Sequence, residues 1–298
     1  MKFTVPQDKI LPVLTQCHAV TDRKGTMPAL GHVLLVANGA IKLSATDLYQ
    51  SVKADADGEI KQQGSAAVDA RMLLDRVKQL PGEIGFVLDG TTLTLKSGSR
   101  RFRLPVIPGD EMPKLPDAAD TQPLLTIPGD ELADLISRVQ FAISTDETRL
   151  HLNSMLLEHE GDKLTAVATD GHRLSVAVTT SGSIGAFKIL IPLKGVLQLK
   201  RLCESGDVTL RQSGHVLFAE AGGFEWTCKL CDQIFPPFRD VIPSSSEATV
   251  SVDRLALMGA LKAVSVAASD RTGGVKFTFE SDKLRIESES PESGEGFD

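Results

Sequence analysis

Two short stretches bring together residue types that do chemistry. In Asp170-Gly171-His172-Arg173 an acid and an imidazole stand two residues apart after a strand-like run, a spacing that can relay a proton or hold a metal. Cys228-Lys-Leu-Cys231 is a CxxC pair, whose thiols suit zinc or redox exchange. Both readings meet an objection within the sequence. Asp47-Leu48-Tyr49 occupies the place of Asp170-Gly171-His172 at a distance of 123 residues, so the Asp reads as architectural. Asp-Gly is also a plain turn pair. Zinc needs two further ligands at a compatible spacing, and none stands near the cysteines. In a strand, residues three apart face opposite ways. The six histidines form no cluster, and neither a Walker-type loop nor a dinucleotide fingerprint occurs. The expectation is no catalytic residue, no metal and no cofactor.

A second set of residues recurs in sign as well as position. Arg71 corresponds to Lys194 and Lys78 to Arg201, each pair 123 residues apart. A surface that contacts a polyanion through its backbone needs such diffuse positive charge. The plainer reading stays open, because helix surfaces favour Lys and Arg and the last turn of a helix prefers cations.

These matches belong to a longer internal repeat. Thr46-Asp47 answers Thr169-Asp170; Val68, Ala70, Arg71 and Leu74 answer Ile191, Leu193, Lys194 and Leu197. Met112-Pro113-Lys114-Leu115 answers Phe235-Pro236-Pro237-Phe238 at the same offset of 123. A constant offset over a domain length means one structural unit used again. A third copy begins: IPGDELADLISRV from Ile127 is answered by VSVDRLALMGALKAV from Val250, and SMLLEHEGDKL from Ser154 by GVKFTFESDKL from Gly274. The chain of 298 residues stops part-way through that copy, so the reading is of a fragment or of a shortened third domain.

Each copy divides again. Phe3-Thr4-Val5 reads as a strand, and Asp8 as the cap of a helix with Ile10, Leu14 and Cys17 inward. Pro12 is tolerable there only near the first turn. The strands HVLLVA, AIKLSAT and YQSVKADA follow, with Asn38-Gly39 turning the first pair. Then Ala66-Ala67-Val68 is a strand, Asp69 caps a helix with Leu73, Val77 and Leu80 inward, and IGFVLD, TLTLKS and RRFRLP follow, turned at Asp89-Gly90. The half-unit is strand, helix, three strands. The fold expected is α+β: tandem domains of two such half-units, with helices on a concave face, antiparallel sheets outside, and the third domain incomplete. Proline-rich segments separate the copies, which places domains at 1–120, 121–246 and 247–298.

The bulk properties agree with a multidomain soluble protein. No signal peptide and no apolar run of about 18 residues appears, so the cytoplasm is expected. The four cysteines do not recur between copies, which argues against a disulfide framework. Net charge is −7, which alone points away from nucleic acid. Most helical acids lie in first turns, however, so the excess negative charge falls on strands and loops and leaves the helices locally basic.

In this order, MKFTV, MPALGHVLL from Met27, VATDGHRLSV from Val167, IPLKGVLQL from Ile191 and KLCDQIFPPFRDVIP from Lys229 resemble the bacterial sliding clamp family, the beta subunits of DNA polymerase III. The resemblance covers nearly the whole chain. It implies a head-to-tail homodimeric ring of six like domains, with helices lining a hole for duplex DNA and sheets outside. Such a ring binds DNA without regard to sequence, serves as a processivity factor in DNA replication, and has no active site of its own. The partners implied are the polymerase III catalytic subunit, the clamp loader and other proteins with clamp-binding motifs; no membrane is implied. By motif, the DNA-facing residues are Arg23, Lys24, Arg71, Lys78, Arg149, Lys194 and Arg201. Family members carry aromatic residues just after the Arg that precedes the LNSML strand, here Arg149, where this chain has Leu150 and His151. The implied pocket for partner peptides comprises Leu152, Thr169, Gly171, His172, Arg173, Leu174, Pro236 and Val241. The implied dimer interface is the edge from Lys96 to Leu104, with Arg100, Arg101 and Arg103. Val266, Ala267 and the acidic tail of Glu292, Glu295 and Asp298 lie opposite. With the end of the third domain absent, the expected form is mostly monomeric or aggregation-prone. Two alternatives are a nucleic-acid or phosphoester enzyme using Asp170 and His172, and a shortened clamp relative left as a peptide-binding module or a non-functional remnant.

Overall fold

The computed structural model describes residues 1–117, 121–182, 185–268, 273–280, 283–290 and 294–297. They form two compact units, Met1–Phe238 and Arg239–Asp298.

The first unit opens with strand β1 (Lys2–Pro6), which buries Phe3 and Val5 and exposes Lys2. Helix α1 (Gln7–Val20) follows directly. Asp8 does not cap it. Pro6 holds the cap position without a side-chain bond, and the first turn is tied down from a distance. The Gln7 amide donates to Gly82 O at 2.8 Å, and Gln7 Nε2 donates to Val77 O at 2.8 Å. Pro12 sits inside the helix rather than at its start, with its ring exposed. An interior proline costs about 3 kcal/mol. Burial of Ile10, Val13, Leu14, Cys17 and Val20 offsets it, at about 1.5–3 kcal/mol for each large side chain.

Strands β2 (His32–Asn38), β3 (Ala40–Thr46) and β4 (Gln50–Ala56) form an antiparallel meander, turned first at Gly39 with φ 74°. A short strand not expected from the sequence, β5 (Glu59–Gln62), then pairs with β1. Its lone apolar residue, Ile60, carries little pattern, and the open edge of β1 supplies its partner. The second half-unit is β6 (Gly64–Asp69), α2 (Ala70–Val77), β7 (Glu83–Asp89), β8 (Thr92–Ser97) and β9 (Arg100–Ile107). Here the expected cap is present: Asp69 Oδ1 accepts from the Met72 amide at 2.7 Å.

The order recurs as β10 (Pro123–Ile127), α3 (Gly129–Val139), β11 (Ser154–Glu160), β12 (Lys163–Thr169) and β13 (Leu174–Thr180). It recurs again as β14 (Phe187–Pro192), α4 (Leu193–Leu202), β15 (Val208–Ser213), β16 (Val216–Ala221) and β17 (Phe224–Lys229). The strand-helix-three-strand half-unit therefore appears four times. The offset is 123 between the starts of β3 and β12 and of β6 and β14, but 121 between β1 and β10 and 124 between β8 and β16. The register also shifts within two of the paired strands, in β10 between Pro123 and Leu125 and in β1, against β5, between Lys2 and Phe3.

Two sheets result. One has thirteen strands in the order β10-β15-β16-β17-β4-β3-β2-β6-β9-β8-β7-β1-β5; the other is β13-β12-β11-β14. The larger sheet runs through both copies because β17 pairs with β4, from Phe224↔Ala54 to Cys228↔Gln50. Side chains reinforce that seam. Trp226, 1% exposed, donates from Nε1 to Gln50 Oε1 at 3.4 Å. Ser51 Oγ and Thr227 Oγ1 lie 2.6 Å apart, and Lys53 Nζ lies 2.7 Å from Glu225 Oε2. The helices pack beneath as one layer. α1 packs on α2, and α3 on α4. Gln198 Nε2 of α4 donates to Gln16 Oε1 of α1 at 2.7 Å, which joins the two pairs in the order α2-α1-α4-α3.

The second unit contains α5 (Arg254–Ser265), capped by Asp253 Oδ1 from the Ala256 amide at 2.7 Å, and the antiparallel strands β18 (Lys276–Phe279), β19 (Leu284–Ser290) and β20 (Gly294–Phe297). Val264 and Ile286 are its most deeply buried residues among those described.

Candidate functional site

The recurring bases are all exposed, but they differ in their partners. Arg71 pairs with Asp75 one turn on, at 3.8 Å. Arg23, in the loop after α1, reaches Asp69 at the start of α2, at 3.9 Å. Arg149 is held by Asp146 at 2.9 Å. Lys24, Lys78, Lys194 and Arg201 form no ion pair among the described residues. Lys194 and Arg201 line one groove of about 260 Å³ with Ala19–Asp22, Asp47, Gln50, Leu197 and Gln198, where the end of α1 meets α4. Arg71 and Lys78 lie on and just after α2, the outer helix of the same layer. Arg149 is apart from the helix bases. Its Nη1 lies 3.7 Å from where a side chain at Gly171 would begin, beside the turn between β12 and β13.

That turn is built the same way in both copies. Asp170 Oδ1 accepts from the amides of His172 and Arg173 at 2.9 and 3.0 Å. Asp47 Oδ1 accepts from the amides of Tyr49 and Gln50 at 2.9 and 2.7 Å. Thr169 Oγ1 donates to Arg173 O at 2.7 Å and Thr46 Oγ1 to Gln50 O at 2.8 Å. The middle residue is left-handed in each: Gly171 with φ 93° and Leu48 with φ 73°. The two amide donors, with help from Arg173 Nε at 2.9 Å from Oδ2, hold the Asp170 carboxyl down at about 2. Both acid oxygens are thus engaged in the turn, and a carboxyl held at about 2 is a weak base at neutral pH.

Around the turn, Arg173 extends over the Phe141 ring at 5.5 Å. Leu174 packs on a buried cluster of Leu156, Val167, Leu190, Phe235 and Phe238. Leu152 is buried, Pro236 half-buried and His172 exposed. His151 Nδ1 lies 3.0 Å from Gln233 Oε1, which ties the loop before β11 to the segment after β17. The structure thus brings Thr169, Gly171, His172, Arg173 and Leu174 together in one turn, with Leu174 on the cluster that contains Phe235, the neighbour of Pro236. Val241 belongs to the second unit, at the end of a short 3-10 turn, and is exposed.

The edge residues divide. β9 pairs along β8 on one side, but meets β6 only at Ala67↔Ile107 and Val68↔Val106 on the other. Arg100, Arg101 and Arg103 are exposed along the rest of that edge, with Arg100 Nη1 donating to Gln79 O at 2.6 Å. Leu104 is buried, so only its backbone lies there. Lys96 is on β8, an interior strand between β7 and β9. In the second unit Val266 is 83% exposed and Ala267 is buried. Glu292, Asp298 and the side chain of Glu295 lie outside the described residues.

The four cysteines are free. Burial pushes the Cys17, Cys203 and Cys228 thiols up to about 12, so these three are not poised as nucleophiles. Among the described residues no three His, Cys, Asp or Glu side chains converge to hold a metal, and no helix is long and apolar enough to cross a membrane. Two residues that position the site went unmarked in the sequence. Gln198 is a polar residue on the buried stripe of Val196, Leu199 and Leu202, and that exception was its one signal. Phe141 had none, because its value depends on Arg173, 32 residues on, in the turn before β13.

Three family models match in chain order. They are the DNA polymerase III beta subunit N-terminal domain over residues 1–116, central domain over 126–237 and C-terminal domain over 239–297. The beta sliding clamp of Escherichia coli (strain K12) is 34% identical over 302 residues, which takes in 99% of this chain and 82% of that protein. The beta sliding clamp of Vibrio cholerae is 33% identical over 304 residues, with the same shares covered. Among solved structures, the sliding clamp of Pseudomonas aeruginosa bound to griselimycin superposes with a TM-score of 0.93 at 31% identity, covering 100% of this chain and 83% of that one. The beta subunit of Thermotoga maritima gives 0.94 at 28% identity, covering 100% and 82%. With its repeated half-unit, its single layer of helices and these matches along its length, the chain belongs to the DNA polymerase III beta subunit family, the bacterial beta sliding clamps.

Proposed function

We propose that this protein is a non-catalytic DNA sliding clamp of the cytoplasm that encircles duplex DNA and tethers replicative and repair polymerases for processive synthesis. The observation that carries the reading is the helical layer α2-α1-α4-α3, joined by Gln16 and Gln198 and bearing exposed bases at equivalent places in both copies. Such a layer meets phosphates without reading base edges, which is what sliding requires. Retention then comes from topology, and a tethered polymerase sees its template at high effective concentration. The domains are taken as 1–120, 121–246 and 247–298.

Arg23, Lys24, Arg71, Lys78, Lys194 and Arg201 are the DNA-facing set, with Arg149 at its margin beside the 170–173 turn. Leu152, Thr169, Gly171, His172, Arg173, Leu174 and Pro236 receive the apolar side chains of partner peptides from the polymerase and the clamp loader. The open edge of β9, with Arg100, Arg101 and Arg103, is the subunit interface of a head-to-tail dimer, where an added strand satisfies the free backbone groups.

The test is loading onto nicked circular DNA with the clamp loader. The protein should survive a high-salt wash on the circle and run off once the circle is cut. Loss from uncut circles in high salt would rule out encirclement.

A further inference from the structure

The first unit holds a second cavity that the family assignment does not use. It has a volume of about 470 Å³ and lies where the copy-one turn meets the start of α4 and the end of β17. Tyr49, Leu150, Leu193 and Pro192 give it apolar walls; Lys194, Lys229 and Glu147 give it charge; Gln50, Thr145 and Asn153 give it polar edges. Two of these side chains are well exposed. Tyr49 is 67% exposed and Leu150 is 48% exposed. Lys229 Nζ stands over one face of the Tyr49 ring, 5.6 Å from its centre. Lys194 and Gln50 border both this cavity and the groove that runs along α4 to Arg201.

We infer that this cavity binds one unpaired nucleotide of single-stranded DNA, with its base against Tyr49 and Leu150 and its flanking phosphates on Lys194 and Lys229. The inference rests on reading the helical layer as a DNA surface. A duplex cannot occupy the cavity, because the faces of its bases are already stacked on one another. An unpaired base offers a free face, and aromatic platforms beside ammonium groups take such bases with little regard to sequence. Charge favours nucleic acid over an acidic or apolar peptide. Among the residues that line the cavity, two lysines stand against Glu147 alone.

Tyr49 is the single tyrosine of the chain, so a tyrosine adduct identifies it without ambiguity. The probe is a fluorescein-labelled oligothymidylate containing 4-thiothymidine, mixed with the full chain, and a blunt duplex of equal length serves as comparison. Irradiation should link the oligothymidylate to Tyr49, and the free strand should protect Tyr49 from nitration by tetranitromethane. Tyr49→Ala should weaken single-strand binding about tenfold, the scale of one lost base stack, and leave duplex binding unchanged. Tyr49→Phe keeps the platform and should bind as the native chain does. Equal single-strand affinity in Tyr49→Ala, cross-links confined to other residues, or protection by an apolar peptide but not by the oligothymidylate would each overturn the inference. Lys78→Glu, just after α2 and outside the cavity lining, tests the duplex reading separately: if it binds duplex like the native chain, that reading fails while the Tyr49 adduct is judged on its own.

Discussion

Gln198 Nε2 donates to Gln16 Oε1 at 2.7 Å, and Gln198 is 3% exposed. This contact joins a helix of the second copy to a helix of the first beneath a sheet that also crosses the copies. Gln198→Ala should destabilise by about 1–3 kcal/mol, because a buried polar group loses its partner and leaves a gap. Adding Gln16→Ala should recover part of that loss, since both partners are then gone. Urea midpoints for the two single variants and the double variant measure the coupling; strictly additive losses would show that the bond does not couple the helices.

The seam between β17 and β4 should be the most sensitive place in the first unit. Trp226→Ala removes a fully buried indole at the β17–β4 pairing and is expected to cost about 3–5 kcal/mol. Hydrogen exchange should then rise in β4 and β17 before it rises in β8. Uniform loss of protection would mean that the seam does not open first.

Leu48 and Gly171 hold the same left-handed position in the two copies, with φ 73° and 93°. Holding a leucine there costs about 1–3 kcal/mol, and the added freedom of a glycine in the unfolded chain returns about 0.5–1 kcal/mol. Leu48→Gly should therefore stabilise by about 1 kcal/mol, and Gly171→Leu should destabilise by at least as much. Thermal melts of the two variants should move in opposite directions.

The Asp170 turn has a defined pH range. Backbone amides lower the folded pKa to about 2, against about 3.9 for a free aspartate. A lowered carboxylate contributes its stability above the unfolded pKa and loses it as pH falls through the folded one. The turn should thus keep its full contribution at neutral pH, weaken below about pH 4 and lose it near pH 2. Carboxyl carbon shifts give the titration directly. A midpoint at the free-aspartate value would show that the amides do not hold the ionised acid.

Among the bases, the unpaired ones should matter most. Lys24→Gln, Lys78→Gln, Lys194→Gln and Arg201→Gln should each lower the salt dependence of duplex binding by about 0.9 in log–log slope, the change expected for one phosphate contact. Arg71→Gln should lower it less, because Asp75 already neutralises part of that charge. Affinity measured against salt concentration decides the order.

Much of this molecule was legible in one dimension. Alternation marked the strands, Asp69 announced its helix, and the glycines at 39 and 90 marked hairpins, because each depends on neighbours within a few residues. The duplicated Thr-Asp turn likewise exposed itself, since its bonds run only two to four residues along the chain. Local cues misled where distant groups took over: α1 starts on Gln7 bonds to Val77 and Gly82 rather than on Asp8, and Pro12 stays inside because the surrounding burial outweighs its lost hydrogen bond.

The sequence by itself determined the repeated half-unit, its helices and strands, and which positions carry positive charge. Only the tertiary structure decided that β17 continues β4, that Gln198 meets Gln16 across 182 residues, and which bases are free and which are held by acids. The reason is physical. Periodicity and capping are settled by short-range sterics and hydrogen bonds, whereas seams, buried polar partners and the strength of a charge depend on groups that only folding brings within a few ångströms.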